Sequence, residues 1–431
     1  MEIEPKPECL EDANSTLNRK ALDVAQSINE EPHYPEGGYG WVIVVAGFII
    51  YSVVPGILMS IGVMIKHYQV IMKDKTNTTT LTLVGSVSNS VFSFLAVAAG
   101  RFIDHFGHRI SLIVGAIIFS GGLLLASFAS ESWHLFLTLG VLSGIGDSLI
   151  TIAVISAPAQ YFNNKLGIAS GFIMAGYGAG GFCLSPAIEY MITEWSMETA
   201  LRSLAGGSFT TIFLLSFCYQ RAPKNKTTHG FGVIQQTRFQ ILFLGAFLSS
   251  IGYLVPFIII PLYAESIKID GRDGSFLLGL LNGSTSIGRI IMGQSADYFG
   301  RMNILLLCSV SASLSCLFWG FGTTYFHLVL FVVSYGITGG SFLSILSVAA
   351  RQLFPNESIP GITGLIYFAV GLPYLAGPPV ATEISRLLSS SQSIITSYLP
   401  AISFTAAFPL LALIPLLYLR INLSRSWKSK I

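Results

Sequence analysis

The chain has 431 residues, of which 52% are hydrophobic and only 11% are charged, and its formal net charge is +2. A soluble domain carries about 25% charged residues, so this composition excludes a soluble enzyme and makes lipid the solvent for much of the chain. The near-neutral charge also excludes the dense basic face of a nucleic-acid-binding protein.

The first 39 residues are polar and acidic, so we expect a disordered cytosolic tail over residues 1–39. A helix needs about 20 apolar residues to cross the hydrocarbon core, and the rest of the chain predicts twelve such spans. They are expected at 40–63, 80–100, 110–129, 135–158, 168–192, 201–219, 239–262, 275–296, 303–322, 326–349, 361–386 and 396–419.

A short, polar and basic segment at 220–238 divides these spans into two groups of six. We therefore predict an all-α membrane protein with an N-terminal six-helix bundle at 40–219 and a C-terminal six-helix bundle at 239–419. Residues 420–431 form a second expected cytosolic tail.

Lysine and arginine are enriched in cytosolic loops, so their distribution predicts orientation. With both termini in the cytosol, sixteen of the 24 Lys and Arg residues lie inside, seven lie outside and Arg289 lies within the eighth span. Asn77 begins a glycosylation sequon in the predicted first outer loop. A sequon at Asn225 falls inside, so a glycan there would reverse the predicted orientation.

One loop motif, a glycine, an aspartate and a glycine followed by arginine, occurs after the second span and again after the eighth. Its residues are Gly100, Asp104, Gly107 and Arg109 in the first copy and Gly293, Asp297, Gly300 and Arg301 in the second. Glycines permit tight turns and close helix approach, and the aspartate can pair with positive groups at the cytosolic face. We predict that both copies form a conformational gate and do not contact substrate. The alternative is an ordinary charged loop.

Two further motifs lead into the first and fifth spans. Their key residues are Gly38, Gly40 and Trp41 before the first span and Tyr161, Phe162, Lys165 and Gly171 before and within the fifth. The duplicated loop resembles the signature of the major facilitator superfamily. The other two motifs, with Gly377-Pro378-Pro379 in the eleventh span, resemble those of the monocarboxylate transporter family, and the pattern is closest to its fungal members.

The resemblance implies two six-helix bundles, alternating access and a central cavity. It also implies small carboxylates as substrates, which animal members move by symport with a proton. Their eighth-span arginine matches Arg289, whereas Thr285 occupies the position of their aspartate and the first-span lysine position falls near Met59. Leu166 replaces a usual basic residue in the fifth-span motif. Among fungal members, riboflavin uptake is one assigned role.

Four polar residues within the predicted spans are candidates for direct roles. A charge near the bilayer centre costs about 2.5–3.5 kcal/mol on insertion scales, and a guanidinium such as Arg289 can hold a carboxylate through two parallel hydrogen bonds. Asn89 and Asn282 are further candidate substrate ligands, and Asp147 is a candidate for ion coupling. The alternatives stay open, since Arg289 could reach the membrane edge and the other three could join helices structurally.

We therefore expect a transporter of a small organic anion, with the lipid bilayer and a proton or other coupling ion as partners. No metal site, cofactor or nucleic-acid partner is expected, and no motif of a nucleotide pump, metalloprotease or serine hydrolase occurs in the chain. A carrier of a neutral or aromatic solute such as riboflavin, or a non-transporting membrane sensor, is the alternative. The family default is the plasma membrane, and a vacuolar or other internal membrane is the alternative location.

Overall fold

The computed structural model describes residues 35–61, 63–64, 67–68, 78–219, 232–267, 271–322, 324–355, 357–388 and 394–423. The predicted glycosylation site Asn77, both predicted tails except for a few residues next to the bundles, and most of the central segment lie outside these ranges. Within them the chain is a succession of long helices, and no β-strand occurs in that part.

The first half contains six long helices, each of which coincides with a predicted span. They are α1 Tyr39–Met59, α2 Thr78–Phe106, α3 His108–Ala126, α4 Ser132–Gln160, α5 Leu166–Glu194 and α6 Met197–Ser216. Helix α4 is irregular, because residues Phe136–Leu142 adopt π-helical geometry and Ala157–Gln160 form a 3-10 turn.

The second half repeats this arrangement after a short helical turn, Gly232–Gln235. Its helices are α7 in two parts, Thr237–Ile251 and Val255–Ser266, then α8 Gly271–Phe299, α9 Arg301–Trp319, α10 Tyr325–Leu353, α11 Ile359–Leu388 and α12 Ile394–Leu423. Helix α10 contains a 3-10 turn at Gly339–Ser341. The prediction of an all-α membrane protein is confirmed.

Ten helical stretches in the described residues are long and apolar enough to cross a membrane. Helices α6 and α8 fall outside this group because more of their residues are polar or glycine. Large apolar side chains such as Leu214, Leu314 and Ile414 point outward and are exposed. A surface of this kind is stable only in hydrocarbon, because it would leave a large apolar area in contact with water.

Two pairs of helices join the halves: α5 packs along α8, and α2 packs along α11. The α5–α8 interface is so close that a Cβ atom on Gly171 would lie 2.2 Å from the carbonyl oxygen of Arg289. At the α2–α11 interface, a Cβ atom on Gly364 would lie 2.3 Å from the carbonyl oxygen of Ala96. Small residues therefore set the distance between the two halves, as they do between other membrane helices.

Candidate functional site

A small cavity lies between the two bundles and is lined by helices from both. Six of its fifteen lining residues are aromatic: Phe92 and five tyrosines, Tyr51, Tyr177, Tyr253, Tyr367 and Tyr374. Its volume is about 40 Å³. One water needs about 10–15 Å³ of cavity volume. The cavity thus has room for a few waters, and the bundles must move apart to admit an organic solute.

Arg289 of α8 supplies the positive charge of this cavity. Its Nε donates a hydrogen bond to the Gly340 carbonyl at 3.1 Å, Nη1 donates to the Met174 carbonyl at 2.5 Å, and Nη2 donates to the Tyr253 hydroxyl at 3.2 Å. Its Cζ lies 4.8 Å from the centroid of the Tyr177 ring. These contacts connect α8 to α5 in the first half and to α7 and α10 in the second.

Two of these partners come from helix irregularities. Tyr253 lies where α7 is interrupted, between Ile251 and Val255, and Gly340 lies in the 3-10 turn of α10. A regular helix uses most of its carbonyl groups internally, so the turn in α10 can provide the Gly340 carbonyl as an acceptor, whereas Tyr253 accepts through its side-chain hydroxyl. The local irregularity of α7 and α10 therefore positions the guanidinium.

The charge of Arg289 is not neutralised by an acidic side chain in the part of the chain that the structure describes. The side chain is only 2% exposed. All three of its hydrogen-bond partners are neutral. A buried cation with neutral partners retains its net charge, and it can attract an anion into the cavity.

Asp147 of α4 lines the same cavity and is 5% exposed. Its Oδ1 accepts a hydrogen bond from the Thr151 hydroxyl at 2.7 Å, one helical turn further along α4. Among the described residues, Asp147 and Arg289 form no ion pair with each other. The cavity thus contains an acidic and a basic side chain, one from each half, that form no ion pair with each other.

The two predicted asparagines occupy different places. Asn89 lines the cavity, and its Nδ2 donates to the Gly85 carbonyl at 3.1 Å. Asn282 does not belong to the lining: it lies on α8 against α5, and its Nδ2 donates to the Leu278 carbonyl at 3.1 Å. The Oδ1 atom of Asn282 is buried and has no hydrogen-bond partner among the described residues. The substrate-binding roles of both asparagines stay predictions.

The two loop motifs have the same backbone geometry. Gly107 has φ of +90° and precedes α3, and Gly300 has φ of +95° and precedes α9. Positive φ is accessible to glycine at little cost, so each loop needs glycine at this position. The preceding glycines, Gly100 and Gly293, lie where helices of opposite halves pack closely against each other.

Each motif aspartate contacts the other half of the molecule. Asp297 accepts hydrogen bonds from the backbone amides of Gly167 at 2.8 Å and Ile168 at 2.9 Å. We call this set the α5–α8 latch. Asp104 accepts a hydrogen bond from the hydroxyl of Ser358, and that hydroxyl accepts one from the Gly361 amide at 2.9 Å. We call this second set the α2–α11 latch.

The two motif arginines differ. Arg301 donates through Nη2 to the Asn163 carbonyl in the α4–α5 loop, at 2.5 Å, and so reaches across to the first half. Arg109 instead lies over the Phe217 ring, with 4.3 Å between Cζ and the ring centroid. Phe217 directly follows α6, so this contact stays within the first half. The gate roles of both arginines stay predictions.

The sequence profile of the Major Facilitator Superfamily matches residues 39–238 and 242–430. The chain belongs to the major facilitator superfamily. Among similar superfamily proteins, monocarboxylate transporter 12 of Xenopus laevis is 25% identical over 394 residues, covering 83% of this chain and 84% of its own. The MFS-type transporter pynF of Aspergillus niger is 26% identical over 350 residues, covering 79% of this chain and 80% of its own.

Monocarboxylate transporter 12 of Homo sapiens is 24% identical over 413 residues, covering 85% of this chain and 78% of its own. The predicted resemblance to monocarboxylate transporters and fungal transporters of the superfamily is therefore confirmed. The chain is a multi-pass membrane transporter of small organic solutes and not an enzyme.

The motif before α1 and the motif before α5 lie next to each other in the structure. The side chain of Glu36 accepts hydrogen bonds from the backbone amides of three consecutive residues before α5. They are Asn163 at 2.9 Å, Asn164 at 2.7 Å and Lys165 at 3.3 Å. Trp41 packs edge-on against Phe162, with ring centroids 5.2 Å apart, and the Phe162 ring also covers Gly40.

Gly38 has φ of +57° directly before α1. The Tyr161 ring lies near the Tyr39 ring, with centroids 6.4 Å apart and the ring planes tilted by 48°. Gly171 lies further along α5, against the backbone of Arg289. The motif residues thus fix the start of α5 relative to α1 and bring α5 against α8.

Sequence reasoning missed the tyrosines of the cavity. The chain has 17 tyrosines, and nothing in their spacing separates the five that face the cavity. Tyr253 is the exception, because Gly252 precedes it and Pro256 follows closely, and both residues weaken a helix. Gly252 and Pro256 thus indicated that α7 is interrupted, and the interruption indicated Tyr253 as a candidate site residue.

Proposed function

We propose that this transporter moves a small organic anion by alternating access, with Arg289 holding its carboxylate. The supporting observation is the buried guanidinium in the central cavity, which lacks an acidic partner among the described residues. A guanidinium offers a planar fork of donors that matches a carboxylate. Tyr253 and the Met174 carbonyl are neutral acceptors that an anion can replace.

Alternating access requires that the two latches open when the cavity faces the cytosol. Both latches lie at the end of the transporter that carries the two motif loops, and each joins opposite halves through hydrogen bonds. Hydrogen bonds to a charged group contribute about 1.5–3 kcal/mol each. Contacts of this size are strong enough to hold the face closed, yet weak enough to break during transport.

Uptake by the purified, reconstituted chain tests the role of Arg289. We expect Arg289→Ala to lower the uptake of transported carboxylates by about 100-fold or more, which corresponds to the loss of about 2.7 kcal/mol or more. Arg289→Lys should restore only part of it, because lysine lacks the planar fork. The matched control is Arg202→Ala on α6, outside the cavity. Carboxylate uptake that survives Arg289→Ala would overturn the proposal.

A neutral aromatic solute is the second candidate, and the five tyrosines of the cavity favour it. Aromatic pairs contribute about 0.5–1.5 kcal/mol beyond the area that they bury, so a planar ring would gain from these walls. Uptake of such a solute should persist in Arg289→Ala and fall in Tyr367→Leu. That pattern would favour the aromatic solute over the anion.

We further propose that both termini face the cytosol, that the bundles comprise residues 40–219 and 239–419, and that the protein lies in the plasma membrane. The Lys and Arg distribution supports the orientation. Enzymatic deglycosylation after expression in a eukaryotic cell tests it: Asn77 should carry the glycan and Asn225 should not.

Fluorescent tagging separates the plasma membrane from a vacuolar location. Coupling through Asp147 stays a prediction, and a proton gradient across the proteoliposome tests it.

A further inference from the structure

We infer that the central cavity is built for a zwitterion, whose carboxylate binds Arg289 and whose cationic nitrogen binds Asp147. The carboxylate half of this inference rests on the proposed function of Arg289. The part of the inference that concerns the cationic nitrogen is independent of that function. It rests on Asp147 and the aromatic residues of the cavity, and on the location of Asp147 and Arg289 in opposite halves of the transporter.

The acidic Asp147 and the basic Arg289 line the same cavity from different bundles. Asp147 belongs to α4 of the first half and Arg289 to α8 of the second, and both line the same space. Both side chains are more than nine-tenths buried. They form no ion pair with each other, although opposite charges in a dry site attract strongly. A solute with both charges would therefore bind between them once the bundles move apart.

One carboxylate oxygen of Asp147 lacks a hydrogen-bond donor among the described residues. Thr151 donates to Oδ1, and Oδ2 has no hydrogen bond from any residue that the structure describes. An ionised carboxylate only accepts hydrogen bonds and has room for several donors. Leaving a buried charge without a partner is costly, and an ammonium or guanidinium group of a solute would supply both charge and donors.

The aromatic walls fit the same ligand. Tyr51, Tyr367 and Phe92 line the cavity together with Asp147. The faces of aromatic rings attract cations, and the hydroxyl of Tyr367 is buried without a hydrogen-bond partner in the described residues. A cationic nitrogen near Asp147 would be surrounded by these rings, and an N–H group on it could reach the free hydroxyl.

The competing role for Asp147 is that of a proton carrier for a simple anion. The two roles differ in what they predict for selectivity. A proton carrier changes the pH dependence of uptake and has no reason to favour a solute with a cationic group. A partner for a cation distinguishes a zwitterion from a carboxylate of the same shape, and that discrimination disappears when the negative charge is removed.

Matched pairs of solutes test the inference in proteoliposomes with the full chain. The pairs are glycine betaine with 3,3-dimethylbutanoate, L-phenylalanine with 3-phenylpropanoate, and L-leucine with 4-methylpentanoate. In at least one pair, we expect uptake of the zwitterion to exceed that of its carboxylate partner by about tenfold or more, because one charge-assisted contact is gained. Asp147→Asn should reduce that ratio to about one.

Glu189→Gln is the matched control, because Glu189 is exposed on α5 outside the cavity. Size-exclusion profiles and recovery of the ratio in Asp147→Glu separate selectivity from misfolding. The inference is overturned if the carboxylate is preferred in every pair, if no zwitterion is taken up, or if Asp147→Asn alters only the pH dependence. If carboxylates are carried and lost in Arg289→Ala while no zwitterion is preferred, this inference fails and the proposed function stands.

Discussion

The two latches start from the same loop motif and close the same face, but they reach the opposite half through different atoms. Asp297 of the α5–α8 latch binds two backbone amides directly. Asp104 of the α2–α11 latch binds a side-chain hydroxyl, which in turn accepts from a backbone amide. The glycines have the same backbone conformation in both copies, whereas the polar contacts differ. We therefore expect the latches to share their steric requirements and to differ in strength.

The largest effect should come from the glycines, and it should be equal in both latches. A Cβ atom on Gly167 would lie 2.3 Å from the Gly293 carbonyl oxygen, and one on Gly100 would lie 2.5 Å from that of Pro360. Overpacking of this kind costs about 1–3 kcal/mol. We expect Gly167→Ala and Gly100→Ala each to slow uptake by about tenfold.

The control for this pair is Gly206→Ala on α6, where nothing lies within 4 Å of the added methyl group. Initial uptake rates, normalised to the amount of reconstituted protein, provide the measurement. A large loss in only one of the two variants would show that the latches do not share their steric requirement.

The aspartates should reveal the difference between the latches. In Asp297→Asn the charge is lost and one remaining oxygen faces two amides, so we expect a loss of about fivefold in uptake. In Asp104→Asn the amide oxygen can still accept from Ser358, so a loss of about threefold is expected, since neutral hydrogen bonds contribute about 0.5–1.5 kcal/mol.

Chemical labelling of the cavity compares the strength of the two latches directly in Asp297→Asn and Asp104→Asn. A cysteine at Met174, in a background without other cysteines, reports access to the cavity from the motif-loop face. In inverted vesicles, an impermeant maleimide should label it faster in Asp297→Asn than in Asp104→Asn. Equal labelling rates in the two variants would contradict the expected difference in strength.

Substitution of the motif arginine should also slow uptake more in the α5–α8 latch than in the other copy of the motif. Each effect should be smaller than that of the aspartate in the same copy. Arg301 reaches the Asn163 carbonyl across the halves, and lysine is shorter and lacks the fork, so Arg301→Lys should slow uptake by about threefold. Arg109 lies over Phe217 within one half, and lysine keeps its cation–π contact, so Arg109→Lys should change uptake by less than about twofold. A larger effect at Arg109 would assign it to the gate.

The smallest effect should come from Glu36, which binds the loop before α5 and so supports the α5–α8 latch indirectly. Glutamine keeps one acceptor oxygen, so Glu36→Gln should lower the melting temperature of the purified protein by about 1–3 °C. Glu194→Gln, an exposed residue at the end of α5, is the control. Uptake in Glu36→Gln should fall by less than uptake in Asp297→Asn.

Much of this fold was predictable from the sequence. Each span had to be about 20 apolar residues long, and the repeated glycines marked the loops after α2 and α8. The different destinations of Arg109 and Arg301 were not predictable, because Phe217 and Asn163 are distant in sequence from the motif arginines that they contact. Composition predicts that a helix is buried, but it does not predict which residues of other helices lie beside it.

The candidate site was predictable in part. Arg289, Asp147 and Asn89 were singled out as polar residues in apolar spans, and all three line the cavity. Asn282 was singled out by the same reasoning and lies against α5 instead. Asn282 lies about two turns before Arg289 on the same face of α8, so the two residues differ in position along the helix axis. Composition indicates which helix carries a polar residue, but it does not indicate where along that helix the cavity begins and ends.

The contact between Arg289 and Met174 has a consequence for how affinity is measured. One guanidinium nitrogen is already engaged by a carbonyl of the opposite half, so a carboxylate that binds both terminal nitrogens has to displace that carbonyl. The dissociation constant of such a solute then includes the free energy of separating α5 from α8. A weak equilibrium affinity is therefore compatible with rapid turnover, because binding energy used to separate the helices lowers the barrier to the next step.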